Sequence, residues 1–459
     1  MWNRMPLWRM REALDKREVS AAELLEAHLT GIAETNPRVN AFIEVYADEA
    51  RERAKERLSG PLAGIPVTIK DSFDLQGRVT YCGSLLRRGE RAGCDSTAAA
   101  RLKAAGAVIL GKTSTPEFLY YYETDNRIIG RTNHPWNPDF TPGGSSGGEA
   151  AAIASYMSAG GVGSDGGGSI REPAHFCGIC GLKPTPGRVG AGGHWPVIGH
   201  PGGFMGVCGP MARTARDVRI LFETLSGWDV RDPFSAPVPI RGPEVRRSQI
   251  ALWLPGGVSA ECGAAAQRTA ELLWQAGFAR AEFDAKLLQG AHELWRVLFV
   301  DLITQSLRAM TAGREQDCAW TGTALMQEAR EAVTAERLLG VLAERDQARA
   351  RLLEHLGSAT VLVAPAFGTA AFRHRQPPMP ILEAARPLTP ANLFGLPAMV
   401  APAGVDGEGL PVGVQFIGAP YEDERLIGVA EIFEEIRGDT WRTARLSPSA
   451  TKSMTSTTD

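Results

Sequence analysis

Three side chains in this sequence can together carry out acyl transfer. Lys70 closes Gly60-Pro61-Leu62-Ala63-Gly64-Ile65-Pro66-Val67-Thr68-Ile69-Lys70-Asp71; Ser145 lies in Gly143-Gly144-Ser145-Ser146-Gly147-Gly148; Ser169 lies in Asp165-Gly166-Gly167-Gly168-Ser169-Ile170-Arg171. They offer a nucleophile, a base and a hydroxyl to link them, with no need of histidine. A serine hydroxyl attacks only once a base takes its proton. Lysine is that base only when neutral, so its pKa of about 10.4 must fall by several units, as burial achieves. Ile69 and Phe73 flank Lys70 with apolar groups, which fits burial. A salt bridge from Lys70 to Asp71 or Asp74 at a strand end is the plain alternative. The three glycines before Ser169 let successive backbone N–H groups converge. The N–H groups of Gly166, Gly167, Gly168 and Ser169 form a candidate oxyanion hole, each donor worth about 2.7–4 kcal/mol; a flexible turn is the alternative.

Alternating helix and strand signals surround these residues. Residues 9–35 read as one amphipathic helix containing the capping-box pattern Ser20-Ala21-Ala22-Glu23, and residues 47–58 as a charged, exposed one. Residues 65–70 read as a strand with Ile65, Val67 and Ile69 on one face. A helix over 97–105, capped by Asp95 or Ser96, leads to an apolar strand at 107–110. An Ala-rich helix is expected over 146–159, with Ser146 and Glu149 as a capping box. Further helix at 218–225, strands at 250–254, 359–363, 398–401 and 413–417, and a mainly helical stretch over 261–357 complete an α/β pattern with a largely buried sheet. One domain over 1–446 is expected, followed by a disordered Ser/Thr-rich tail at 447–459.

Other motifs point elsewhere. Gly106-Ala107-Val108-Ile109-Leu110-Gly111-Lys112-Thr113 matches a phosphate loop by letter, yet its centre is apolar enough to be the strand itself. Gly143-x-Ser145-x-Gly147 matches a nucleophile elbow, with His355 or His374 as a downstream base, but a proline-punctuated loop precedes it where an elbow needs a strand. His175, Cys177 and Cys180 are potential metal ligands without a fourth partner nearby; buried thiols are the simpler state.

Composition narrows the class. The 49 basic and 52 acidic residues leave a net charge of −3, with no electrostatic case for nucleic acid or an anionic membrane. The seven cysteines are odd in number and scattered, against a secreted disulfide framework. The N-terminus lacks an apolar signal core, and no run of about twenty apolar residues is present. A cytoplasmic protein is expected, monomer or homodimer.

Taken together the motifs resemble the amidase signature family of serine hydrolases, from about Ala63 to Ala430. Supporting matches are Gly111-Lys112-Thr113, Gly181-Leu182-Lys183-Pro184-Thr185, Gly209-Pro210 with Arg213-Thr214, Asn392 with Gly395-Leu396-Pro397-Ala398, and Leu410-Pro411-Val412-Gly413-Val414-Gln415. The resemblance implies a large mixed sheet covered by helices on both faces. It implies Ser169 as the acylated nucleophile, Lys70 as the ultimate base, and Ser145, after a cis peptide bond, as the relay. It gives Ser146, Asp165 and Arg171 supporting roles and requires no cofactor or metal. Many relatives carry Thr where this chain has Gly166, which predicts a looser loop; Glu172 stands where relatives are often apolar. Leu119, Tyr120 and Tyr121, in a run ending at Tyr122, fall where relatives place pocket walls; His194, Trp195, Pro196, Trp295 and Phe299 are further candidates. The expected activity is a stand-alone amidase acting on a small-molecule amide, carbamate or ester. The alternatives are a glutaminase-type amidotransferase subunit working in a complex and a Ser-His-acid hydrolase.

Overall fold

The computed structural model describes residues 2–199, 203 and 205–442; the tail at 447–459 lies outside the described residues. Among these, eleven strands build one mixed sheet: β1 (Phe42–Val45), β2 (Pro66–Lys70), β3 (Val108–Thr113), β4 (Gly160–Asp165), β5 (Cys180–Lys183), β6 (Val207–Ala212), β7 (Gln249–Leu252), β8 (Ala279–Arg280), β9 (Thr360–Pro365), β10 (Ala398–Val405) and β11 (Pro411–Ile417). Their spatial order is β1-β3-β2-β4-β6-β5-β10-β11-β9-β7-β8. β2 runs parallel to both β3 and β4, whereas β4, β6, β5, β10, β11 and β9 pair antiparallel in turn.

The two-residue period of β2 sorts its side chains between faces. Val67 and Ile69 join Val162 of β4 in a core covered by helices Leu7–Asp15, Thr97–Ala104, Ala215–Leu225, Ala260–Gln275 and Asp423–Arg437. Thr68 and Lys70 belong to the opposite face. There lie two short helices, Gly147–Ala154 and Arg171–Cys177, beneath a second core built largely from residues 288–396. Because Thr68 pairs with Gly161 and Ile69 with Val162, the C-terminal ends of β2 and β4 lie side by side. Clefts in open α/β sheets form at such ends.

Several expected elements differ. The helix over 9–35 is two, Leu7–Asp15 and Ala21–Val39, because the Ser20–Glu23 capping box starts a new helix. The Ala-rich helix is only Gly147–Ala154; its residues through Ile153 are all buried, and Gly148 lets it approach β3 so closely that a Cβ there would stand 2.4 Å from the Ser114 backbone N. The strand expected at 107–110 extends to Thr113, so the phosphate-loop letters are ladder residues, and Lys112 is buried against Asp71 at 3.2 Å.

Candidate active site

Lys70, the last residue of β2, is fully buried. Its Nζ lies 2.8 Å from Ser145 Oγ, 3.0 Å from Ser164 Oγ and 3.4 Å from Ser164 O. The carboxylates beside it in sequence are engaged elsewhere: Asp71 with Lys112, Asp74 with the Thr80 hydroxyl at 2.7 Å. Burial therefore dominates and brings the amine down to about 7, against a smaller upward pull from Cys82, Asp165, Cys208 and Glu149. Burial thus favours the neutral amine, the form that can accept a proton.

Ser145 follows a cis peptide bond from Gly144. The turn is held from three sides: the Gly144 N–H donates to Glu172 Oε2 at 2.9 Å, Thr124 Oγ1 donates to Gly143 O at 2.8 Å, and the Ser146 N–H donates to Ser169 O at 3.1 Å. Gly144 is required by close approach, since a Cβ would stand 2.5 Å from Tyr121 O. The Ser146–Glu149 capping box does not form. The Ser146 hydroxyl donates to Ser164 O at 3.4 Å, while Glu149 is drawn under the sheet to accept from the hydroxyls of Thr68 and Thr113. Burial raises that carboxyl to about 7.

Ser169 enters from the end of β4. Asp165 folds the loop around its own carboxylate, accepting from the N–H of Gly168 at 2.8 Å and of Ile170 at 3.1 Å. Arg171 Nε lies 3.0 Å from Asp165 Oδ2 and its Nη1 donates to Leu388 O and Gln415 Oε1. Asn392 Nδ2 donates to Asp165 Oδ1 at 2.9 Å and to Met205 O at 3.1 Å, and Asn392 Oδ1 accepts from Arg171 Nη2. Burial pushes the Asp165 carboxyl upward, but Arg171 and these donors outweigh it and hold it well below the carboxylate range. The motif around Ser169 points to Asp165 and Arg171 from sequence alone, whereas Asn392 and Gln415 stand there only as motif letters. Their signal was an amide inside an apolar run, which must find hydrogen bonds when buried.

One donor of the expected oxyanion hole is lost: the Gly168 N–H already binds Asp165. The N–H groups of Gly166, Gly167 and Ser169 have no such partner among the described residues. Nor is the loop loose for want of a threonine. A Cβ on Gly166 would meet Phe299 at 2.9 Å, and one on Gly167 would meet Trp295 at 2.5 Å. Trp295 Nε1 donates to Gly166 O at 3.1 Å and Tyr122 Oη to Gly167 O at 2.8 Å. Side chains packed against the glycines fix them.

Ser145 and Ser169 open into one cavity of about 380 Å³. No direct hydrogen bond joins them among the described residues. Leu119 and Tyr120 line the cavity; Phe118 and Leu119 both take left-handed backbone (φ 58° and 61°), costly for bulky residues. Tyr121 does not line it. It turns away to stack edge-on against Trp320, 5.1 Å between centroids, and donates to Gln376 O. Trp295 is likewise behind the wall, whereas Phe299, His194, Trp195 and Pro196 are on it.

The histidines of the competing reading are elsewhere. His374 pairs with buried Glu123 at 2.7 Å, and His355 lies 3.3 Å from Glu282 O. No strand leads into Gly143. His175 has both ring nitrogens on backbone groups, of Thr369 and Gly413, while Cys180 donates to Glu434.

Residues 23–427 match the Amidase family profile. The chain is 34% identical to a glutamyl-tRNA(Gln) amidotransferase subunit of Synechococcus sp. (strain WH7803), over 94% of this chain and 97% of that protein. A Roseiflexus castenholzii protein of the same name is also 34% identical, over 93% and 94%. Among solved structures, a 6-aminohexanoate cyclic dimer hydrolase superimposes with a TM-score of 0.84 at 27% identity, covering 97% of this chain and 99% of its own. A bacterial aryl acylamidase gives 0.84 at 25%, covering 96% and 98%. The profile over most of the chain and relatives at 34% identity along nearly its whole length place it: this chain belongs to the amidase signature family, whose enzymes act on C–N bonds.

Proposed function

We propose that this protein is a stand-alone amidase that hydrolyses an uncharged, apolar small-molecule amide through an acyl-Ser169 intermediate. Lys70 is the base. As Ser169 Oγ attacks the carbonyl carbon, its proton passes to Ser145 Oγ and the Ser145 proton to Lys70 Nζ. The same path returns a proton to the nitrogen as the C–N bond breaks, and water then cleaves the acyl ester. The N–H groups of Gly166, Gly167 and Ser169 receive the oxyanion. The observation that carries the reading is a buried amine, about 7 in pKa, 2.8 Å from Ser145 at a cavity that Ser169 shares.

A second reading, a glutaminase subunit of an amidotransferase, is favoured by the names of the curated relatives. The cavity walls weigh against it. Glutamine brings an α-ammonium and an α-carboxylate, each needing a charged partner once desolvated. Among the described wall residues the sole charged side chain is Asp165, which Arg171 already neutralises. The purified chain alone is expected to hydrolyse anilides and simple carbamates and to leave glutamine intact. Glutamine hydrolysis that requires a co-purifying protein would overturn this proposal in favour of the second reading.

A further inference from the structure

Gly166 poses a question that its backbone does not answer. Its φ lies outside the left-handed region, so its conformation does not demand glycine. Space does: a Cβ would stand 2.9 Å from Phe299 Cε2. Phe299 belongs to the mainly helical region, far from the catalytic motifs in sequence, yet its ring reaches the cavity wall beside Ser145 and Ser169. A local widening brings it there. Between helices Ala291–Arg296 and Leu302–Thr311 the chain makes a π-helical turn, Val297–Asp301, a feature found frequently at functional sites. Tyr120 Oη lies 3.0 and 2.8 Å from the carbonyls of Phe299 and Val300, which share its single O–H donor within that turn. Trp295 stacks on Phe299 with centroids 4.9 Å apart and planes 15° apart, and Tyr120 lies 5.7 Å away. The ring is thus built in from several sides, an arrangement that a core residue filling spare volume does not need.

We propose that Phe299 is a specificity-determining residue that stacks on a flat aryl group bonded next to the scissile amide, and that the missing side chain at 166 admits it. This rests on the amidase reading above and names the substrate feature that the site selects. An aryl group gains a stacking interaction with Phe299 that a saturated ring of similar size does not.

The test uses two matched pairs: benzoyl against cyclohexanecarbonyl p-nitroanilide, which vary the acyl side, and acetanilide against N-cyclohexylacetamide, which vary the amine side. The quantity read is the aryl-to-cyclohexyl ratio of kcat/KM, which is independent of the fraction of enzyme correctly folded. Phe299→Leu is expected to lower that ratio about 3- to 10-fold in one pair, and that pair identifies the side on which the aryl group sits. Gly166→Ala, which must displace the ring, is expected to lower the same ratio similarly. The double variant is expected to fall no further, because both changes remove one contact. Unchanged ratios in Phe299→Leu with turnover intact, or a double variant whose losses multiply, would overturn the inference and leave the amidase reading standing. Failure of the wild-type chain to hydrolyse any of the four amides would overturn both.

Discussion

Replacing Lys70 by methionine separates stability from activity, and it does so with a change of sign along the pH axis. Burial lowers the amine from 10.5 to about 7. Between those values the unfolded chain carries the proton and the folded chain does not, so wild-type stability rises with pH across that window. At pH 7 keeping the amine neutral costs the folded state about 5 kcal/mol. Methionine has nearly the same shape and no charge to desolvate, so the variant escapes that cost. It forfeits the contacts to Ser145 Oγ and Ser164 Oγ, at about 1 kcal/mol each. The variant is therefore expected to be inactive yet about 3 kcal/mol more stable than wild type at pH 7, equal near pH 9, and about 2 kcal/mol less stable above pH 10.5. Urea unfolding of both proteins at several pH values measures the difference directly. A methionine variant less stable by a constant amount from pH 7 to 10 would mean that Lys70 is charged in the folded protein and is no base.

Three further variants probe the same geometry. Ser169→Ala is expected to abolish turnover, whereas Ser145→Ala, which keeps nucleophile and base but cuts the path between them, should lose about 10²–10⁴-fold in kcat, as read with an anilide substrate; equal activity of the Ser145→Ala variant and wild type would remove Ser145 from the path. Asn392→Leu strips a buried partner from both Asp165 and Arg171 and should cost about 2–4 kcal/mol in urea unfolding together with a fall in kcat; a neutral effect on both would mean that Asn392 does not brace the Ser169 loop.

Six of the eleven strands were legible as short apolar runs between helical periods; β1, β4, β5, β6 and β8 were not, and β4, which leads to Ser169, is glycine-rich rather than apolar. The loops of Ser145 and Ser169 stood out because glycine and serine cluster there and nowhere else so densely. What stayed hidden depended on direction and distance. Residues 118–122 follow neither helical nor strand periodicity, so nothing in Leu-Tyr-Tyr-Tyr says that Tyr120 faces the cavity and Tyr121 faces Trp320. Ser146-x-x-Glu149 has the letters of a capping box, but helix Gly147–Ala154 is buried, and the hydroxyls of Thr68 and Thr113 offer the Glu149 carboxyl better partners than its own first turn. Three glycines in a row read as freedom; in the fold each faces a side chain, Phe299, Trp295 or Leu388, from far along the chain. Asn392 and Gln415 were visible as motif letters, but their shared target, Arg171, appears only once the strand order is known.

The proposed chemistry requires an uncharged Lys70 to drive acylation of Ser169. Rapid-mixing measurement of the acylation rate against pH, with the adduct located by peptide mass spectrometry, tests it most directly. A label on Ser169 is expected, with a rate that climbs through one deprotonation to a plateau above about pH 7, the value to which burial brings Lys70. A rate still climbing at pH 10, or a label on Ser145, would contradict it.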